Sequence, residues 1–208
     1  MTRHKTTGGM KSIGIAVVVL IAFFAVGYAA ISLLQPALPT ANVINIEPPS
    51  PPEKEGFEVY AGKDFYVYYP EDWKPRKISN EFSAVEIGFV SPEENKDDAF
   101  RESLLITSDL LGNQSLRDYA TVSLLRLQTE VIPQFRLLDA GPRKIGNIDG
   151  FQAVFAGNDS INPVIKYMQV YVPSARKMYV LTYTSREKNF NSFLGDANQI
   201  IDSFIPSK

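Results

Sequence analysis

The longest apolar stretch of the chain runs from Ser12 to Leu34 and contains no charged residue. A helix rises about 1.5 Å per residue, so these 23 residues span roughly 34 Å, which covers a hydrocarbon core of about 30 Å. The pattern predicts one N-terminal transmembrane helix over 12–34. A cleaved signal peptide is the alternative, but its apolar core is usually only about 7–15 residues long, which favours a retained anchor.

The charges on either side of this stretch predict its orientation. Arg3, Lys5 and Lys11 precede it, whereas the first acidic residue after it is Glu47. Positively charged flanks stay on the cytoplasmic side of a membrane. We therefore expect a cytoplasmic tail over 1–11 and a single-pass protein of the cell membrane whose C-terminal part lies outside.

A proline-rich segment follows the apolar stretch. Residues 35–56 contain six prolines in 22 positions. Proline lacks the backbone donor for regular structure and favours an extended polyproline geometry. We interpret the segment as a semi-stiff spacer with a reach of about 26 Å as a coil. The folded domain is then expected over 57–208.

In the first half of that domain, predicted strands alternate with turns, and a stretch with helical spacing of its apolar residues follows. Three strands are predicted at Phe65–Tyr69, Ala84–Val90 and Ser103–Leu110. Proline, acidic and small residues flank them. Apolar residues then recur at helical spacing, at Leu116, Ala120, Leu124, Leu127 and Val131. Ser115 fits the N-cap of this helix, and Pro133 predicts its end.

The second half is rich in strands and closes with a helix. Four strands are predicted at Phe135–Ile145, Phe151–Ala156, Val164–Val172 and Lys177–Ser185, with turns at 146–150 and 173–176. The last two strands carry bulky residues on both faces, which is typical of the middle of a covered sheet. One face of a final helix is predicted from Phe190, Phe193, Leu194, Ala197, Ile200, Ile201 and Phe204. About seven strands and two helices indicate an α+β domain with a mostly antiparallel sheet.

Several short motifs resemble those of PsbP-like domains. They are the aromatic strand and acidic turn Phe65–Trp73, then Val90–Pro92, Ser115–Tyr119, Lys177–Tyr183 and Ile200–Phe204. The resemblance covers roughly 57–206 and implies an αβα sandwich around the central sheet. The best-known members of this family are extrinsic subunits of the oxygen-evolving complex of photosystem II, which help to retain calcium and chloride. Relatives outside photosynthesis mostly have no assigned activity.

The start of the chain differs from the photosynthetic members of that family. It carries the predicted anchor in place of a plastid transit peptide or a lipoprotein cysteine, and the domain contains no histidine. A histidine-based metal site of a relative therefore has no counterpart here. The resemblance implies a non-photosynthetic, membrane-anchored member of the family.

The composition excludes several classes of chemistry. The chain has no cysteine, and its single histidine, His4, precedes the predicted anchor. A Ser–His mechanism in the domain and thiol catalysis are thus excluded, and neither G-x-x-x-x-G-K-[ST] nor G-x-G-x-x-G occurs. We expect no enzymatic activity, with a hydrolase acting through carboxylates as the remaining alternative. From 57 to 208 the chain has 17 Lys and Arg against 20 Asp and Glu, which disfavours nucleic-acid binding.

An acidic loop over 91–100 supplies the candidate metal ligands. Glu93, Glu94, Asp97 and Asp98 carry the carboxylate oxygens that a hard cation such as calcium prefers. Their spacing does not match the EF-hand pattern, and a solvated loop explains the same charges. The expectation is no bound cofactor, with weak calcium binding at most.

Two tripeptides match the N-glycosylation pattern, and one aromatic residue stands out. Asn113 and Asn158 each begin an N-x-[ST] sequence in a predicted turn. Trp73 follows the aromatic strand, where it is expected to close the end of the sheet as a structural side chain rather than to bind a ligand.

These features together give the expected function. An anchor, a spacer and a domain without catalytic motifs indicate a non-enzymatic accessory or assembly module that contacts a membrane-protein complex. The alternative is a surface domain that binds a small ligand or calcium.

Overall fold

The computed structural model describes residues 53–78, 85–96, 100–158 and 164–207. The predicted tail, the predicted membrane helix and the spacer up to residue 52 lie outside these ranges. Within them, no helix is both long and apolar enough to cross a membrane.

The described residues form ten strands, two α-helices and two shorter helical turns. The strands are β1 (Phe57–Ala61), β2 (Phe65–Pro70), β3 (Lys74–Arg76), β4 (Val85–Val90), β5 (Ser103–Leu110), β6 (Arg136–Ile145), β7 (Ile148–Asn158), β8 (Val164–Ser174), β9 (Lys177–Arg186) and β10 (Ile205–Pro206). The helices are α1 (Leu116–Arg126), which continues as a π-helix (Leu127–Val131), and α2 (Leu194–Asp202), which follows a 3-10 turn (Glu187–Asn189). The α+β class predicted from the sequence is confirmed.

The strands form two antiparallel sheets. A large sheet has the order β3-β4-β5-β9-β8-β7-β6, and a small sheet has the order β1-β2-β10. Neighbours in the large sheet are consecutive in sequence except at β5-β9, where the chain crosses through α1 and β6–β8. As predicted, the two strands with bulky residues on both faces, β8 and β9, lie in the middle of the large sheet.

One strand assignment from the sequence is wrong. The aromatic strand predicted at Phe65–Tyr69 was counted in the single main sheet, but as β2 (Phe65–Pro70) it forms the centre of the small sheet. Its place among the seven strands is taken by Lys74–Arg76, a short strand that the sequence pattern does not reveal. Alternation of apolar residues shows which face of a strand is covered, but it does not show which strand lies beside it.

The two helices lie on opposite faces of the large sheet. On one face, Ala120 of α1 packs in one cluster with Tyr171 and Val180. On the other, Ile200 of α2 belongs to the main core together with Val170, and the inner residues of the small sheet complete this layer. Alternate side chains of β8 and β9 thus serve two cores, which explains their bulk on both faces.

The helix boundaries follow local sequence chemistry. Ser115 Oγ accepts a hydrogen bond from the Asp118 N–H at 3.1 Å, so the predicted N-cap is confirmed. The helical structure ends at Val131, and Ile132 is extended immediately before Pro133. The closing helix is shorter than its apolar pattern suggests, because Phe190 and Phe204 are buried but lie outside it.

Candidate functional site

The acidic loop is partly engaged in contacts with neighbouring segments. Glu93 Oε1 lies 3.3 Å from the Arg101 guanidinium, and Glu94 Oε2 accepts a hydrogen bond from Asn189 Nδ2 at 3.3 Å. Asp97 and Asp98 lie outside the described residues. In the described part of the chain, no group of three or more His, Cys, Asp or Glu side chains is arranged to hold a metal ion.

The two glycosylation candidates occupy different environments. Asn113 is exposed in the connection between β5 and α1, next to Gly112, whose φ is 61°. Asn158 is the last residue of β7 and half-buried, and its Nδ2 donates to Gln134 Oε1 at 2.7 Å. Asn113 is therefore the more accessible acceptor of the two.

Trp73 lies in the main core. It is fully buried, and its ring meets that of Phe193 edge to face with centroids 6.1 Å apart. The indole Nε1 donates to Asp196 Oδ2 at 3.3 Å. With its ring covered and its donor used, this side chain offers no surface to a ligand.

A buried carboxylate that the sequence did not single out lies at one end of the large sheet. Glu102 is fully buried just before β5. Ser185 Oγ donates to its Oε1 at 3.1 Å, and Ser91 Oγ donates to its Oε2 at 3.4 Å. Because one hydroxyl comes from β9 and the other from the residue that follows β4, Glu102 joins the start of β5 to both neighbouring segments.

The described surface with the clearest binding character is the outer face of the small sheet. Strand alternation turns Phe65, Val67 and Tyr69 into the main core and the other residues away from it. The register then places six uncharged side chains side by side on the outer face: Phe57, Val59, Ala61, Tyr66, Tyr68 and Ile205. Val59 is 37% exposed and Ile205 is 45% exposed.

Two tyrosines lie in the middle of this outer face, of which Tyr66 is half-buried and Tyr68 is only 8% exposed. The rings of Tyr66 and Tyr68 meet edge to face, with centroids 6.3 Å apart. In the register of the sheet, Tyr66 lies between Ala61 and Ile205. Tyrosines combine a large apolar ring with a polar hydroxyl, which suits them to the centre of a protein interface.

The outer face is held rigidly on the domain. Ser203, directly after α2, receives a hydrogen bond from Tyr68 N–H at 3.0 Å and lies 3.1 Å from Tyr68 O. At the other end, Lys177 of β9 forms an ion pair with Asp64 at 2.6 Å, beside the start of β2. The face therefore presents a preformed apolar surface, and no charged residue is among its six members.

Only part of this surface was predicted. The aromatic strand was predicted, but its neighbours β1 and β10 were not, because β1 carries Glu58 among its apolar residues and β10 has two residues. The signal was present in the alternation of Phe57, Val59 and Ala61 immediately after the spacer.

Comparison with known proteins gives the fold. No family model matches the chain, and no curated protein matches it. Among solved structures, LpqN of Mycobacterium tuberculosis, involved in cell envelope biogenesis, has a TM-score of 0.56 at 16% identity and covers 71% of this chain and 86% of its own. Cyanobacterial PsbP (CyanoP) of Synechocystis has a TM-score of 0.54 at 12% identity over 74% of this chain and 94% of its own. The chain has the PsbP-like fold.

A third structure extends the same similarity. A Pseudomonas aeruginosa protein of unknown function has a TM-score of 0.54 at 15% identity and covers 73% of this chain and 98% of its own. The resemblance stated from short motifs is thus confirmed for the PsbP-like fold. At these identities the similarity concerns the fold, and the role of the outer face has to be argued from its own residues.

Proposed function

We propose that this chain is a membrane-anchored accessory module whose PsbP-like domain, outside the cell membrane, binds a membrane-protein complex and catalyses no reaction. The observation that carries this proposal is the uncharged, tyrosine-centred outer face of the small sheet. Its first strand, β1, begins directly after the proline-rich spacer. A surface in that position is near the predicted anchor, and hence near neighbouring membrane proteins.

The binding character of the outer face supports a protein partner. A contiguous apolar surface in a soluble domain commonly marks an interaction site. The domain sequence has 17 Lys and Arg against 20 Asp and Glu, and the six residues of the face are uncharged, with Lys54 over the ring of Phe57 at its edge. This balance favours a protein surface over anionic lipid or nucleic acid. The fold neighbours fit an accessory role, since LpqN takes part in cell envelope biogenesis and CyanoP is a PsbP protein.

The chemistry available in the domain supports a role without catalysis. The domain sequence contains neither histidine nor cysteine, so the commonest general base and the thiol nucleophile are missing. The buried carboxylate Glu102 is enclosed by Ser91 and Ser185 in the core and lies away from any open surface. No arrangement of this kind supplies an accessible acid–base pair.

Cross-linking in native membranes tests the proposal. The full-length protein is cross-linked in place, purified and analysed for co-purifying proteins by mass spectrometry. We expect one recurrent membrane complex with the wild-type protein and its loss with Ile205→Glu. Leu138→Glu is the matched control, because Leu138 is 44% exposed on β6, outside the small sheet. Recovery of the same complex with Ile205→Glu, or of none with the wild type, would contradict the proposal.

A further inference from the structure

Helix α1 carries large apolar side chains on the side that faces away from the sheet. Its buried residues are Tyr119, Ala120 and Ser123, of which one is small and one is polar. On the opposite side, Val122 is 42% exposed and Leu125 is 56% exposed. A helix that covers a core normally turns its apolar residues inward and its polar residues outward. The distribution in α1 indicates that its outward side is also a contact surface.

Two threonines extend this outward side without adding free donors. Thr121 Oγ1 donates to Arg117 O at 2.8 Å, and Thr129 Oγ1, in the π-helix that continues α1, donates to Leu125 O at 2.9 Å. Both hydroxyl protons are therefore used within the helix. Helical residues three and four positions apart are neighbours, so Thr121, Val122, Leu125 and Thr129 form one uncharged surface. We call this surface the α1 stripe.

Opposite charges lie at equal distances on either side of Val122. Asp118 precedes it by four residues and Arg126 follows it by four, so all three lie along one side of the helix. Both charged side chains belong to exposed residues, and neither forms an ion pair with another described residue. Asp118 Oδ2 accepts a hydrogen bond from Ser115 Oγ at 2.6 Å, which leaves its charge in place. An antiparallel copy of the same helix therefore presents the complementary charge at each of these positions.

We propose that two copies of this chain associate through the α1 stripe, with the two helices antiparallel about a two-fold axis at Val122. In this arrangement Asp118 faces Arg126 of the partner subunit, and the symmetry repeats the pair on the other side of the axis. Leu125 packs against the apolar residues of the partner's stripe. A parallel copy would bring like charges together, so the charges select the antiparallel arrangement.

The size of the α1 stripe makes this a weak association that depends on the membrane. The 11 residues of α1 span about 16 Å, and one pair of such helices covers less than the roughly 800 Å² per partner of a stable interface. The high local concentration that the predicted anchor provides compensates for this small area. Helix α1 and the small sheet lie on opposite faces of the large sheet, so the outer face of each copy stays free. The inference is therefore independent of the proposed partner complex.

Engineered cysteines test the pairing in the full-length protein, which contains no native cysteine. In native membranes, Val122→Cys is expected to form a disulfide-linked dimer under mild oxidation, because the two-fold axis brings this position against its own copy. Gln128→Cys is the control, since Gln128 is exposed on the same helical segment but points to a different side. We expect severalfold more dimer from position 122. Equal yields from both positions, no dimer from Val122→Cys, or an adduct with a different protein would overturn the proposal.

Charge reversal supplies a second readout that separates pairing from folding. In the Val122→Cys background, Asp118→Arg alone and Arg126→Asp alone each bring like charges together and should lose most of the dimer. The two variants expressed together, with tags of different size, should restore it as a mixed dimer, because each then meets the opposite charge. Restoration also shows that both variants fold. A mixed dimer no more abundant than the two like dimers would contradict the proposed register.

Discussion

The indole Nε1 of Trp73 donates a hydrogen bond to the Asp196 carboxylate at 3.3 Å. Trp73 lies in the turn between β2 and β3, where the chain passes from the small sheet to the large one. Asp196 lies in the first turn of α2, where a negative charge also favours the helix. This contact joins the connection between the two sheets to α2, which lies beside the small sheet in the same layer.

Truncation of Trp73 should therefore destabilise the whole domain. We expect Trp73→Ala to lower the free energy of unfolding by about 3–5 kcal/mol, because it leaves a large cavity in the core. Trp73→Phe should cost less, since it retains an aromatic ring against Phe193. Asp196→Asn is the control, because the amide oxygen can still accept the indole hydrogen bond. Denaturant unfolding measures all three, and an unchanged midpoint for Trp73→Ala would contradict the described packing.

Alkaline pH should weaken the domain through its buried tyrosines. Burial, and then the hydrogen bond to Glu58, raises the pKa of Tyr69 from 10.0 to about 12. The unfolded chain loses this proton near pH 10 while the folded domain retains it, so the stabilisation is complete below pH 10 and is lost between about pH 10 and 12. NMR of tyrosines labelled at the ring carbon that bears the hydroxyl would report the pKa of Tyr69. An ordinary value for Tyr69 would contradict its burial, and Tyr69→Phe should show a shallower loss of stability over this interval.

Calcium affinity at the acidic loop should be weak. Arg101 already neutralises part of the charge on Glu93, and a cation would have to compete with that ion pair. We expect half-saturation on the order of millimolar in an NMR titration, as is typical of weak calcium sites. Arg101→Gln should tighten binding if Glu93 is a ligand, and Asp97→Asn should weaken it if Asp97 is one. Micromolar binding by the wild-type protein would contradict this expectation.

The central part of the fold was predictable because its residues carry unambiguous patterns. Val164–Ser174 and Lys177–Arg186 are long, bulky on both faces and separated by a two-residue turn, so their central position followed from burial alone. Ser103–Leu110 was predicted with its observed bounds, and Ser115 marked the start of α1 through a local hydrogen bond. Where local hydrogen bonding or strong burial determines an element, its position can be predicted from a single sequence.

The small sheet was not predictable because it depends on pairing between segments that are far apart in the sequence. The residues of Phe65–Pro70 do not show which strands pair with it. Its partners are Phe57–Ala61 and, near the other end of the chain, Ile205–Pro206. The outer face depends on that pairing, so it could not be identified from the strand alone. The acidic residues, by contrast, were conspicuous in the sequence, but the structure shows Glu93 and Glu94 in ordinary contacts with Arg101 and Asn189.

Site-specific photo-cross-linking tests the central claim most directly. A photoreactive phenylalanine analogue would replace Ile205 in the full-length protein, and the matched control would carry it at Leu138, which is similarly exposed on β6. After illumination of native membranes, position 205 should yield one recurrent adduct with a membrane protein and position 138 should not. Adducts of equal yield from both positions, or none from position 205 with the protein abundant and folded, would contradict the outer face as the partner-binding surface.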